Sequence, residues 1–145
     1  MRSWVRHEVC TLIFLTMTLT TVLVVDDDPP VRRLMASILA EAGYRTLEAE
    51  SGFEALRIAE AHRIDLLITD LEMPGMSGPE LINTLRQRGV VTKSLVVTGN
   101  RGPLDHASSG ICVLAKPFNA IQLLDKTRAM VQQQATGSPT DLPTP

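Results

Sequence analysis

A chain of 145 residues is long enough for one domain with a sizeable core. Its 14 basic and 16 acidic side chains nearly cancel, so no cationic excess draws it to nucleic acid directly, and 3% aromatics offer no platform for stacked bases. Cys10 and Cys112 lie far apart and match no metal or redox spacing, as suits a reduced cytoplasmic protein.

The first residues in chain order raise the question of a membrane. Val9–Val25 (VCTLIFLTMTLTTVLVV) carries no charge and follows Arg2, Arg6 and His7, the order of a signal peptide or an anchor. The stretch is rich in Thr, however, and shows no small-x-small cleavage pattern. Thr21–Val25 also reads as a β-branched strand running into Asp26. With that strand in the core, too little apolar chain remains to cross a bilayer of roughly 30 Å, so no membrane association is expected. Residues 1–16 are therefore expected to be an N-terminal extension, with Met17 a sensible start for a compact domain spanning 17–132. QQQATGSPTDLPTP (Gln132–Pro145) has almost nothing to bury, so 133–145 are expected to be a disordered tail.

From Thr21 apolar strands alternate with helical patterns. After VLVV, Asp28-Pro29-Pro30 opens a helix, with Val31, Leu34, Met35, Ile38, Leu39 and Ala42 at helical spacing and Gly43 ending it. Tyr44–Glu48 is a second strand. Ser51-Gly-Phe-Glu54 is a capping box whose helix buries Ala55, Leu56, Ile58 and Ala59. Asp65–Asp70 is the third strand, apolar on both faces through Leu66-Leu67-Ile68, as a strand covered on both sides should be. Ser77-Gly-Pro-Glu80 is a second capping box, with a helix to about Arg88. Ser94–Val97 and Ile111–Leu114 are the last strands, and Asn119 caps a final helix with Ile121, Leu124 and Val131 inward. Strict βα alternation predicts an α/β fold, a doubly wound five-stranded parallel sheet with helices on both faces, a three-layer sandwich.

In such a sheet ligands bind outside the carboxyl ends of the strands. Strand one delivers Asp26, Asp27 and Asp28 there, strand three Asp70, strand four Thr98 and strand five Lys116. Taken singly, each has an ordinary role. Asp28 suits a helix N-cap, Asp70 can hold the turn Glu72–Met76, Thr98 suits a strand, and a lone Lys116 is usually solvated. Together they place carboxylates, a hydroxyl and an ammonium at one edge. Crowded acids repel unless a cation sits between them, and hard oxygen donors without His or Cys point to Mg²⁺.

These features resemble the receiver domain of two-component response regulators, a flavodoxin-like fold. The resemblance spans about Thr20 to Gln132. It rests on VLVVDDDP (22–29), LLITDLEMPGMSG (66–78), LVVTGN (95–100) and AKPF (115–118), in that order. It implies that Asp70 is the phosphoacceptor, attacking a phosphohistidine on a sensor histidine kinase or histidine phosphotransfer protein. Asp26 and Asp27 would hold Mg²⁺, Asp27 directly and Asp26 through water, together with Asp70 and the Glu72 backbone carbonyl. Thr98 would bond a phosphoryl oxygen and shift inward after modification. Lys116 would pair with the phosphoryl group or, beforehand, with Asp70, and its bond to Pro117 is expected to be cis. Phosphoryl transfer needs positioning and charge neutralisation more than covalent help, which agrees with a cation on one side and Lys116 on the other.

Two departures from the family stand out. Receivers usually carry an aromatic three residues before the lysine, where this chain has Val113 (ICVLAKPF), so the coupling of threonine to aromatic is not expected here. The Thr98–Lys116 segment is shorter than usual by about one helical turn. RGPLDHASSG (101–110) predicts a short or irregular helix and an output surface shifted toward the first or the last helix. Asn100 and Glu72 occupy the positions that flank the water attacking an aspartyl phosphate. His106 is expected to serve only the surface.

Three function classes compete. A single-domain phosphoacceptor in a phosphorelay, acting on a downstream protein and not an enzyme in the ordinary sense, accounts for every rim residue. A receiver-shaped adaptor working unphosphorylated would be favoured by loss of an acid, the threonine or the lysine, and none is lost. A Mg²⁺-dependent phosphohydrolase of the haloacid-dehalogenase type needs a second Asp two residues after the nucleophile on the first strand, whereas Glu72 follows the third.

Overall fold

The computed structural model describes residues 20–90, 93–99 and 110–136. The expected extension over 1–16, the Met17 start, Asn100, His106 and nearly all of the 101–110 segment lie outside the described residues. So does the chain after Thr136.

The chain forms β1 (Thr21–Val25), α1 (Pro29–Glu41), β2 (Arg45–Ala49), α2 (Gly52–Ala61), β3 (Leu66–Asp70), α3 (Gly78–Gln87), β4 (Lys93–Thr98), β5 (Ile111–Ala115) and α4 (Ala120–Thr136). The five strands make one parallel sheet in the order β2-β1-β3-β4-β5. β1 and β3 are neighbours although β2 comes between them in sequence, so the chain reverses direction across the sheet at that pair. A crevice opens there at the carboxyl ends. α4 continues past Gln132, where the sequence suggested the domain would end.

Period-two alternation sorts the apolar side chains onto the two faces of the sheet. Leu23, Val25, Leu67 and Val96 point one way, against Ala55 and Leu56 of α2 and Leu81, Ile82 and Leu85 of α3. Val22, Val24, Leu66, Ile68, Leu95 and Val97 point the other way, against Met35 and Leu39 of α1 and Leu123 and Met130 of α4. Fully burying each Leu, Ile or Val contributes roughly 1.5–3 kcal/mol, and the central strands β1 and β3 are buried on both sides.

The helix starts follow their capping residues. At α3, Ser77 Oγ accepts from the Glu80 amide and the Glu80 carboxylate accepts from the Ser77 amide, a complete capping box. At α2, Ser51 Oγ accepts from Glu54 N–H, but Glu54 reaches one residue further back and accepts from Glu50 N–H. At α4, Asn119 and Gln122 exchange the same pair of bonds. Asp28 occupies the N-cap of α1, yet its side chain makes no capping bond.

Two helix faces differ from expectation. Leu34 of α1 is exposed, as is Ala42. Met35, Ala36 and Leu39 are the buried residues of that helix, flanked by the partly buried Val31 and Ile38. On α4, Ile121 is 70% exposed, and Leu124 and Val131 are only partly buried. The inward stripe is instead Leu123, Thr127 and Met130. The Thr127 hydroxyl is accommodated there by donating to the Leu123 carbonyl at 2.8 Å.

Candidate phosphoacceptor site

Register carries the acids to one place. β1 and β3 run in parallel with Val25 opposite Thr69, so the next residues, Asp26 and Asp70, emerge side by side at the sheet rim. Asp70 lies opposite Val97 on β4, and Thr98 opposite Ala115 on β5, one residue before Lys116. Lys116 N–H donates to the Thr98 carbonyl at 2.8 Å, which ties the lysine to the end of β4. The Lys116–Pro117 peptide bond is cis, as expected.

Carboxylate oxygens of Asp26, Asp27 and Asp70 lie within 4.8 Å of one another. Asp26 is wholly buried, Asp70 half-buried and Asp27 exposed, so the cluster opens to solvent on the Asp27 side. Asp26 Oδ1 accepts from the Asp28 amide at 2.9 Å. Asp70 Oδ1 accepts from the Leu71 amide at 2.8 Å, which sets the carboxylate plane. The Lys116 ammonium stands 3.5 Å from Asp26 Oδ2 and 3.6 Å from Asp70 Oδ1. These distances exceed those of tight charge-assisted hydrogen bonds, so Lys116 screens both acids without locking either.

Thr98 is buried at the end of β4, beside Asp70's strand. Glu72 is exposed in the loop after β3, and its side chain does not belong to the acid cluster. In that loop the turn after Pro74 uses Gly75 at φ +82°, a left-handed conformation that disfavours any side chain. Gly78 matters for another reason: a Cβ there would collide with the backbone carbonyl oxygen of Asp70. The first turn of α3 is therefore seated directly on the end of β3, and the Gly78 amide donates to the Leu71 carbonyl at 2.9 Å.

Burial pushes the Asp70 carboxyl above the ordinary carboxylate range. The Lys116 charge opposes the shift, Asp26 adds to it, the Leu71 amide opposes it, and Asp27 adds a smaller push. The raised affinity for a proton gives the sign of a pH effect. The contribution to stability is fully present below the ordinary value of 3.8 and is lost as pH rises through the folded value. In chelator, the wild type is therefore expected to lose stability relative to Asp70→Asn as pH rises from about 3.8 toward neutrality. Urea midpoints of the two proteins across that range check it. A constant difference would mean that Asp70 titrates as an ordinary exposed acid.

Three acids against one ammonium leave a net negative pocket lined by hard oxygen donors, which fits a divalent cation such as Mg²⁺. One contributor is invisible to sequence patterning. Arg32 donates through an Nη atom to the Asp26 backbone carbonyl at 2.9 Å and through Nε to Glu48 at 3.3 Å. Spacing alone pairs Arg32 with Asp28, its neighbour one helical turn back. Only the side on which Glu48 leaves the edge strand β2, between the inward Leu47 and Ala49, hints at the real partner.

The model of the response regulator receiver domain matches residues 22–128. The chain belongs to that family. The phosphate regulon transcriptional regulatory protein PhoB of Pseudomonas aeruginosa is 32% identical over 123 residues, covering 81% of this chain and 54% of that protein. The receiver chain thus spans about half the length of this curated relative. The chemotaxis protein CheY4 of Vibrio cholerae superposes with a TM-score of 0.72 at 32% identity, covering 77% of this chain and 98% of that one. The response regulator TrrA of Thermotoga maritima, solved with Mg²⁺ and BeF, gives 0.69 at 34% identity, over 77% of this chain and 98% of that one. The receiver fold and a place in phosphorelay signalling by two-component systems follow from this membership. Among the described residues, no helix of the receiver is long and apolar enough to cross a membrane.

Proposed function

We propose that this receiver accepts a phosphoryl group on Asp70 from a phosphohistidine. The observation that carries the reading is the convergence of Asp26, Asp27, Asp70 and Lys116 at one rim of the sheet. An Asp70 carboxylate oxygen attacks phosphorus, an O–P bond forms, and the P–N bond to the donor imidazole breaks with its electron pair left on nitrogen. Asp26, Asp27 and the Glu72 backbone carbonyl, with Asp70 itself, hold the cation. Bound Mg²⁺ neutralises the charge spread over the phosphoryl oxygens. Lys116 faces the same charge from the β5 side, and Thr98 hydrogen-bonds a phosphoryl oxygen at the end of β4. Burial of Asp26 and Thr98 keeps water from the inner side of the pocket.

The donor is a sensor histidine kinase or a histidine phosphotransfer protein, in the cytoplasm. Leu34 and Ile121 on the paired helices α1 and α4, and Phe53 on α2, are the large apolar side chains left exposed to a partner among the described residues. The chain itself serves as a phosphoacceptor in place of a turnover enzyme, and it passes the signal to a downstream protein. The test is incubation with acetyl phosphate, read by intact mass. The wild type is expected to gain a phosphoryl adduct with Mg²⁺ and to gain none in excess chelator. An unlabelled wild type at saturating acetyl phosphate and Mg²⁺ would favour an adaptor that works unphosphorylated.

A further inference from the structure

We propose that Arg32 is a positioning residue for the cation site, acting by holding the Asp26–Asp27 backbone and not by its charge. The inference rests on reading the acid cluster as a Mg²⁺ site. Arg32 lies in the first turn of α1, and its side chain is only 13% exposed. One arm of the guanidinium grips the Asp26 carbonyl at 2.9 Å, and Nε holds Glu48 of β2 at 3.3 Å. The Asp26 carbonyl belongs to the peptide unit that joins the two acids, so its orientation sets the direction in which Asp27 leaves the backbone. The preceding peptide unit, between Val25 and Asp26, is held as well, because the Asp26 amide donates to the Ala49 carbonyl at 3.2 Å. Helix α1, strand β2 and the acidic loop are joined through the Arg32 guanidinium. The planar fork fixes the two acceptors in one relative geometry, which the freely rotating ammonium of a lysine does not.

Charge and geometry make opposite predictions here. A guanidinium close to a cation site repels the cation, so a purely electrostatic role means that neutralising Arg32 tightens Mg²⁺ binding. A positioning role means that the same change loosens it, because Asp27 is no longer preset. Supports of metal ligands of this kind typically change affinity by tenfold or more.

The experiment is a Mg²⁺ titration of the full chain without acetyl phosphate, by calorimetry or amide chemical shifts. Arg32→Met is expected to weaken Mg²⁺ binding by about tenfold. Arg32→Lys keeps the charge and loses the fork, and it is expected to weaken binding as well. Unchanged or tighter binding by Arg32→Met overturns the proposal. If far-UV circular dichroism shows Arg32→Met unfolded, Arg32→Lys and Glu48→Gln carry the test, since Glu48 is 42% exposed and its loss spares the core. Wild-type affinity in both then overturns the proposal. A wild type that binds no Mg²⁺ overturns the cation-site reading itself, a result distinct from equal binding by wild type and variants.

Discussion

Asp70→Asn is expected to take up no phosphoryl group from acetyl phosphate and Mg²⁺ under conditions that label the wild type, as read by intact mass. A carboxamide oxygen is not a nucleophile toward phosphorus at neutral pH, and no acyl phosphate can form on it. The substitution is otherwise mild. An amide oxygen still accepts from the Leu71 N–H, which in the wild type bonds Asp70 Oδ1 at 2.8 Å, and Lys116 keeps Asp26 as a partner. The variant also sheds a half-buried negative charge that stands beside two others, so in chelator it is expected to be the more stable protein at neutral pH. Loss of labelling together with a gain in stability separates a chemical defect from a folding defect. Labelling of Asp70→Asn equal to that of the wild type would move the phosphoacceptor to another acid, Asp27 being the accessible one.

Gly78→Ala is expected to destabilise the fold by about 2–3 kcal/mol in urea unfolding, the upper part of the range for overpacking. The added methyl would meet the Asp70 carbonyl oxygen, with the Thr69 methyl 3.3 Å away. The Asp70 oxygen is backbone and is already engaged, since the Thr69 hydroxyl donates to it at 3.0 Å, so no rotamer change relieves the clash. Either α3 lifts from β3, breaking the Gly78-to-Leu71 bond, or the end of β3 shifts and takes Asp70 with it. The second route predicts slower labelling by acetyl phosphate in whatever fraction remains folded. A stability within 0.5 kcal/mol of wild type, the ordinary scatter of neutral surface changes, would mean that α3 is not seated there.

The strands were legible in the sequence because a parallel sheet covered on both faces demands short continuous apolar runs, and VLVV and LLIT leave few alternatives. The site was legible because its acids, threonine and lysine are the residues at which those runs stop. Helix orientation was less legible. In α4, Ile121, Leu123 and Leu124 crowd one turn, and helical spacing accepts more than one inward stripe. The choice falls to the neighbours, Met35 and Leu39 of α1 among them, which form the apolar cluster that takes in Leu123 and Met130. Leu34 failed for the same reason, since spacing cannot tell the centre of a stripe from its margin. Asp28 shows the limit of capping rules: its amide is drawn to Asp26, and its side chain caps nothing. Arg32 and Glu48 were out of reach because they are sixteen residues apart and meet only through the packing of α1 on β2.

The sheet is a wall between two interiors that, among the described residues, share no buried side chain. Repairs and injuries on opposite sides should therefore be felt separately, so that cavities opened at Leu56 and at Met35 add their costs without compounding. For a lineage of such proteins this amounts to freedom of renovation. The α2–α3 layer can be rebuilt while the α1–α4 layer stays as it was.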